Sequence, residues 1–420
     1  MVRATAAIGA IFVTFVGWQA SAQDAVLAEF FAAEDASERA EVGHRLVQLS
    51  VDFSLLHARL RTGRVYRDDV ATGRLEWSRT GAGGEHHAVV LVPDDYNPLN
   101  RYRVCFYLHG GVNRTDRPEN GDTWWRRFDR FDGVEQISVF PASWRGSLWW
   151  QPSQIENLVA ILNRLETHYN VDENQVFLYG VSDGGSGVYY FAMKASTPWA
   201  GYFAFIGHPS VLSNPSTGVI GEMFEGNLVN KPLYVVNGET DRLYPAARVR
   251  PYVEAFREQG ATVVFRPQPG GHNTRWWNSE SPRIEAFMDE HARDPLPQRI
   301  SWETEDPDRF GRFSWLVIDE LDLDGNERAG GLFPHAKTSG RIVVDRRGNA
   351  IEVAADGVKR YTLLLAPDEI DFDEPVKVNT NGVVSYEGKI ERSVETLMKW
   401  AARDNDRTML FGAELTIELE

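Results

Sequence analysis

Cysteine is nearly missing from this sequence: Cys105 stands alone among 420 residues. No intramolecular disulfide can form, so the fold must be held by packing and polar contacts, whatever the redox state of its compartment. Positive charge is scarce as well. Lys and Arg number 44 against 60 Asp and Glu, a formal net charge of −16. That balance argues against nucleic acid or an anionic membrane as partner, because a phosphate surface is met by clustered Lys and Arg. No long single-sign charge block, low-complexity segment or solenoid-period repeat is present. The one apolar stretch near the N-terminus, about Ala6 to Val16, is short for crossing a bilayer. With Arg3 ahead of it and Ala20-Ser21-Ala22 before Gln23, it predicts a signal peptide over 1–22. The expectation is a secreted or periplasmic chain with no stable membrane association.

What is present is an ordinary globular composition, 43% hydrophobic and 25% charged. The most informative run is Gly180-Val181-Ser182-Asp183-Gly184, which follows the apolar Val176-Phe177-Leu178-Tyr179 and precedes a predicted helix from Ser186 to Lys194. Strand, tight turn and helix are the context that a G-x-S-x-G nucleophile elbow requires, with glycines where a Cβ would strike neighbouring backbone. A serine hydroxyl is a poor nucleophile without a base and an orienting carboxylate downstream. Lys231 to Val236 reads as a strand that delivers Asp241 in the loop Asn237-Gly238-Glu239-Thr240-Asp241, with Glu239 as the alternative acid. A helix over about Ala246 to Gln259 and a strand over Thr262 to Arg266 then lead to Gly270-Gly271-His272, whose histidine is the expected base. A tetrahedral intermediate also needs buried donors for its oxyanion. The strand Arg103 to Leu108 runs into His109-Gly110-Gly111, so the N–H groups of Gly111 and Asp183 are the expected oxyanion hole, with Gly110 or Val112 as neighbours. His109 is expected to be structural.

With these residues in view, the chain resembles the α/β-hydrolase family over roughly residues 74 to 292. His109-Gly110-Gly111, the Ser182 elbow, Asp241 and Gly271-His272 carry the resemblance. Within that family it looks most like secreted esterases of the polyhydroxybutyrate-depolymerase and feruloyl-esterase type, with prolyl-oligopeptidase-like hydrolases as relatives. The resemblance implies a doubly wound, mostly parallel α/β sheet and acyl transfer through a serine acyl-enzyme. The expected reaction is therefore hydrolysis of a small or polymeric carboxylic ester, without metal or cofactor. A serine peptidase is the alternative, and a non-catalytic binding protein on the same fold is the third reading.

The rest of the chain divides around that core. Residues 23–73 read as a helical N-terminal segment, helical from Ala25 to about Leu60, and 74–293 as the catalytic domain. After Asp294-Pro295-Leu296-Pro297, residues 298–420 read as a mainly-β accessory domain expected to contribute no catalytic residue, with Phe313 to Ile318 among its strands and a hairpin at Asn381-Gly382. Its acidic loop Glu320 to Gly325 fails the calcium-loop pattern, since position one is Glu and position twelve is Gly331; a solvated turn is expected instead. His86 and His87 are adjacent on a predicted strand and so point to opposite faces, which makes them poor metal partners. Trp149, Trp150, Trp276 and Trp277 fall in loops near the presumed active face. They could form a stacking platform for an acyl chain, aromatic acid or sugar ring, or they pack those loops.

Overall fold

The computed structural model describes residues 22–114, 116–117, 124–128, 135–322, 331–333 and 337–419. The expected signal peptide lies outside them except for Ala22, as does the acidic turn from residue 323 onward.

The N-terminal segment forms three helices, not one: α1 (22–32), α2 (Ala36–Gln48) and α3 (Phe53–Thr62). Two aspartates impose the breaks. Asp35 and Asp52 cap the second and third helices by accepting from the Glu38 and Leu55 N–H groups, which side chains of this kind do at the expense of helix continuity.

Next come β1 (Gly73–Gly81), β2 (Gly84–Val92), β3 (Tyr102–Leu108), β4 (Gln136–Pro141), α4 (Pro152–His168), β5 (Val171–Val181) and α5 (Asp183–Lys194). They are followed by β6 (Gly201–Phe205), β7 (Leu233–Gly238), α6 (Ala246–Glu258), β8 (Val263–Gln268) and α7 (Trp277–Glu290). The eight strands form one sheet in the order β1-β2-β4-β3-β5-β6-β7-β8. Pairing is antiparallel at β1–β2 and β2–β4 and parallel from β4 to β8. This is the doubly wound, α/β-hydrolase-like fold that the sequence predicts. Both faces are covered, and strand residues alternate between them. Val104, Phe106, Leu108, Val176 and Leu178 enter one core cluster, and Cys105, Tyr107, Phe177 and Tyr179 the other. On the second face Tyr179 stacks on Tyr107 and Phe203 with ring centroids 5.1 and 4.3 Å away. Each such pair contributes about 1 kcal/mol beyond the area it buries. Chain order reverses at β3, with β4 on one side and β5 on the other, which is where an open α/β sheet leaves a crevice at its carboxyl ends.

The C-terminal portion contains β9 (Arg299–Thr304), α8 (Pro307–Phe310), β10 (Arg312–Phe313), β11 (Leu316–Leu321), β12 (Gly340–Arg347), β13 (Ala350–Asp356) and β14 (Val358–Leu365). It continues with β15 (Val376–Thr380), β16 (Val383–Gly388), α9 (Val394–Asp404) and β17 (Ala413–Glu418). Two sheets, β10-β11-β14-β17 and β16-β15-β13-β12-β9, share a core built on Trp302, Phe313, Tyr361 and Val378. The strand predicted from Phe313 to Ile318 is split in two, because Ser314 takes a φ of +51° and turns the chain. Asn381 and Gly382, at φ +52° and +81°, form the β15–β16 turn.

The three parts are joined through buried contacts. Helix α9 places Trp400 in the C-terminal core and Leu397, Met398 and Ala401 against the N-terminal helices. Arg39 of α2 is fully buried and donates to the Ala402 carbonyl and the Asn163 side chain.

Candidate active site

Ser182 stands between β5 and α5 at a φ of +59°, a left-handed conformation that is strained for any residue but glycine. Its surroundings hold it there. Its N–H donates to the Phe205 carbonyl at 2.9 Å, and its own carbonyl accepts from the Ser186 N–H at 3.0 Å. The flanking glycines are obligatory in this packing. A Cβ on Gly184 would lie 1.9 Å from the Leu108 carbonyl oxygen, and one on Gly180 would lie 2.1 Å from that of Gly184.

Asp241 and His272 arrive on loops stitched to each other. Thr240 N–H donates to the Gly270 carbonyl, Glu239 N–H to that of Gln268, and Gly238 approaches so closely that a Cβ there would sit 2.5 Å from the Gly270 and Gly271 carbonyl oxygens. Asp241 is 3% exposed, and its Oδ1 accepts from the Leu243 and Tyr244 N–H groups at 2.8 and 3.1 Å. Its Oδ2 accepts from His272 Nδ1 at 2.8 Å. With that ring proton held by a carboxylate, Nε2 keeps its lone pair for the Ser182 hydroxyl, 2.9 Å away. Glu239 is exposed, so Asp241 is the carboxylate that serves the imidazole. The Tyr244 ring meets His272 edge-on, with centroids 5.8 Å apart.

Solved structures with partial likeness to this chain include several esterases. A thermostable esterase aligns at 19% identity and a TM-score of 0.42, covering 52% of this chain and 63% of its own. The chain thus spans less than two thirds of that protein. A ferulic acid esterase aligns at 19% identity and a TM-score of 0.41, over 53% of this chain and 99% of its own. Esterase 2 of Thermogutta terrifontis, phosphorylated by paraoxon, aligns at 14% identity and 0.42, over 53% and 96%. No protein-family model and no curated protein matches the chain. At such scores the reading of the site rests on its own geometry.

The loop after β3 is tied to the residue that follows Ser182. Gly111 has a φ of +75° with open space on its outer side. The Asp183 carboxyl accepts from the Val112 N–H at 2.9 Å. Burial raises the pKa of this carboxyl, and the Val112 and Gly111 amides oppose the rise. The sequence pointed to the Asp183 N–H and gave no sign that its side chain would reach across to the loop. Gly110 is packed against Ser182: a Cβ there would lie 2.8 Å from Ser182 Cβ. His109 braces the loop. Its Nε2 accepts from the Ser143 N–H at 3.0 Å, and its Nδ1 donates to the Gly110 carbonyl at 2.9 Å.

The tryptophan platform is corrected. Trp149 and Trp150 are fully buried, with indole N–H groups donating to the His109 and Thr217 carbonyls. Trp276 and Trp277 are 7% exposed and pack edge-on against Phe205. Large apolar rings beside a sheet gain more from core burial than from solvent exposure, and the rings support the site from behind instead of lining it.

Proposed function

We propose that this chain is a serine hydrolase of carboxylic esters, exported to the periplasm or medium, with Ser182, His272 and Asp241 as its triad. The carrying observation is the continuous pair of hydrogen bonds, 2.9 Å from Ser182 Oγ to His272 Nε2 and 2.8 Å from His272 Nδ1 to Asp241 Oδ2. His272 Nε2 takes the hydroxyl proton as Oγ attacks the ester carbonyl, and Asp241 orients and stabilises the resulting imidazolium. The oxyanion meets the Asp183 N–H at the start of α5, whose dipole favours negative charge there. The Gly111 N–H joins it as the second donor. The C–O bond then breaks, His272 returns its proton to the leaving alcohol, and water repeats the sequence to release the acid.

Polyester, feruloyl, acetyl and short-chain acyl esters are the substrate classes favoured by the sequence resemblance. The test compares the mature chain with Ser182→Ala and Asp241→Asn on p-nitrophenyl esters, polyhydroxybutyrate, feruloyl esters and aminoacyl amides. Ester turnover is expected to fall about a millionfold in the first variant and about ten-thousandfold in the second. Turnover of amides alone would make the chain a peptidase, and serine-independent or absent turnover would sink the proposal.

A further inference from the structure

Phe333 comes from the C-terminal portion but does not enter the core of its two sheets. It is buried in the cluster formed by the α/β sheet and its helices, where it packs on Tyr252 of α6 with ring centroids 6.1 Å apart. The residues just before it are held in the same place. Leu332 N–H donates to the Glu225 carboxyl at 3.4 Å, and Gly331, at φ +128°, comes so near that a Cβ would lie 2.9 Å from the same oxygen. From Phe333, ring contacts run without a gap to the His272 imidazole. Tyr252 meets His208 edge-on at 5.2 Å, His208 lies 5.7 Å from Tyr244, and Tyr244 meets His272 at 5.8 Å.

The two middle links are fastened to the elements that carry the triad. His208 N–H donates to Ser186 Oγ at 3.2 Å, and that hydroxyl donates to the His208 carbonyl at 3.1 Å, in the first turn of α5 behind Ser182. Tyr244 N–H donates to Asp241 Oδ1, and its carbonyl accepts from Asn237 Nδ2 at 3.1 Å. His208 Nδ1 is occupied by the Ser210 N–H at 3.0 Å, so this second histidine is a wedge and not a second base. Rigid rings in a close-packed interior pass a displacement from one to the next. A void at Phe333 would let Tyr252 turn into it, which unseats His208 and then Tyr244 from the edge of His272. We propose that Phe333 is a positioning residue: through Tyr252, His208 and Tyr244 it keeps the His272 ring in line with Ser182. The C-terminal portion thereby sets the rate of a site to which it gives no reacting group. This deepens, and depends on, the reading of Ser182, His272 and Asp241 as a hydrolytic triad.

The test measures hydrolysis of p-nitrophenyl butyrate by the full mature chain and its Phe333→Ala and Phe333→Leu variants. Rates are expressed per active serine, counted by the p-nitrophenolate released when Ser182 is phosphorylated by a p-nitrophenyl phosphate triester. In Phe333→Ala, kcat per titrated site is expected to fall about tenfold with KM unchanged, and Phe333→Leu, which refills most of the space, should restore most of the rate. In a Tyr252→Ala background, where the chain of rings is already broken, Phe333→Ala should have no further effect on kcat. A second readout needs no turnover: the His272 Nδ1 proton held by Asp241 gives a downfield proton resonance, identified by its absence from His272→Gln. That resonance should move in Phe333→Ala and return in Phe333→Leu. An unmoved resonance, additive effects of the two substitutions, or a loss of titratable sites with normal kcat in the remainder would overturn the proposal. Absence of turnover in the native chain would count against the ester-hydrolase reading alone, since the resonance still decides whether Phe333 positions His272.

Discussion

At the scale of single residues, the site is fixed by what is too small to collide. Gly110 leaves only enough room for Ser182, so Gly110→Ala should displace the nucleophile from His272 while leaving the sheet intact. A shift of that kind costs about a hundredfold in rate, and the expected result is a fall in kcat with an unchanged melting temperature. Glu166 gives a pH signature of its own. Burial, with the Asp406 carboxyl adding to it, holds its folded-state pKa above the ordinary 4.5, so its contribution to stability is complete below that value and is lost as pH rises through the raised one. Glu166→Gln carries no such dependence. Thermal melts from acid to neutral pH should therefore move in favour of the variant as pH increases, and a constant difference would mean that the carboxyl is not held neutral.

Elements explain how much could be read from the chain. The strand-to-loop transitions at Leu108–His109, Val181–Ser182 and Val236–Asn237 were legible because β-branched and aromatic runs end there in glycine-rich turns, and parallel strands bring such loops to one edge. The Asn381-Gly382 hairpin was legible for its left-handed residues. Contacts between elements were not. Nothing in the order of residues says that the Asp183 side chain crosses from α5 to the loop after β3, that Ser314 breaks a strand, or that tryptophans near a catalytic face turn inward. The crossing of Asp183 has a measurable effect: its carboxyl holds the loop but also places negative potential where an oxyanion must develop. Asp183→Asn keeps an accepting oxygen and removes the charge, so kcat should rise severalfold near neutral pH. Asp183→Ala frees the loop and should lower it; a rise in both would assign the side chain no anchoring role.

On the scale of the whole molecule, the expectation that residues after 298 form an accessory piece meets a buried ionic seam. Lys194 and Glu305 are at most 1% exposed in their side chains, and Arg293–Asp406 and Arg407–Glu173 lie in the same interface. Removing one partner of such a pair costs about 3–5 kcal/mol, against a total stability on the order of 5–15 kcal/mol. A chain cut after Arg293 loses three partners at once and should be recovered insoluble, although no described residue of the removed part hydrogen-bonds to Ser182, His272 or Asp241 side chains. Lys194→Met alone should destabilise by about 3–5 kcal/mol, and Lys194→Met with Glu305→Leu should recover most of that loss, because an apolar pair of similar volume carries no desolvation penalty. Denaturant titration of the two variants checks this. Cys105, fully buried in the middle of β3 with its thiol pushed up to about 12, is silent toward reagents while the sheet is closed. With no second thiol in the chain to share the signal, the rate at which a thiol dye labels this protein is a clock for the opening of its central strands.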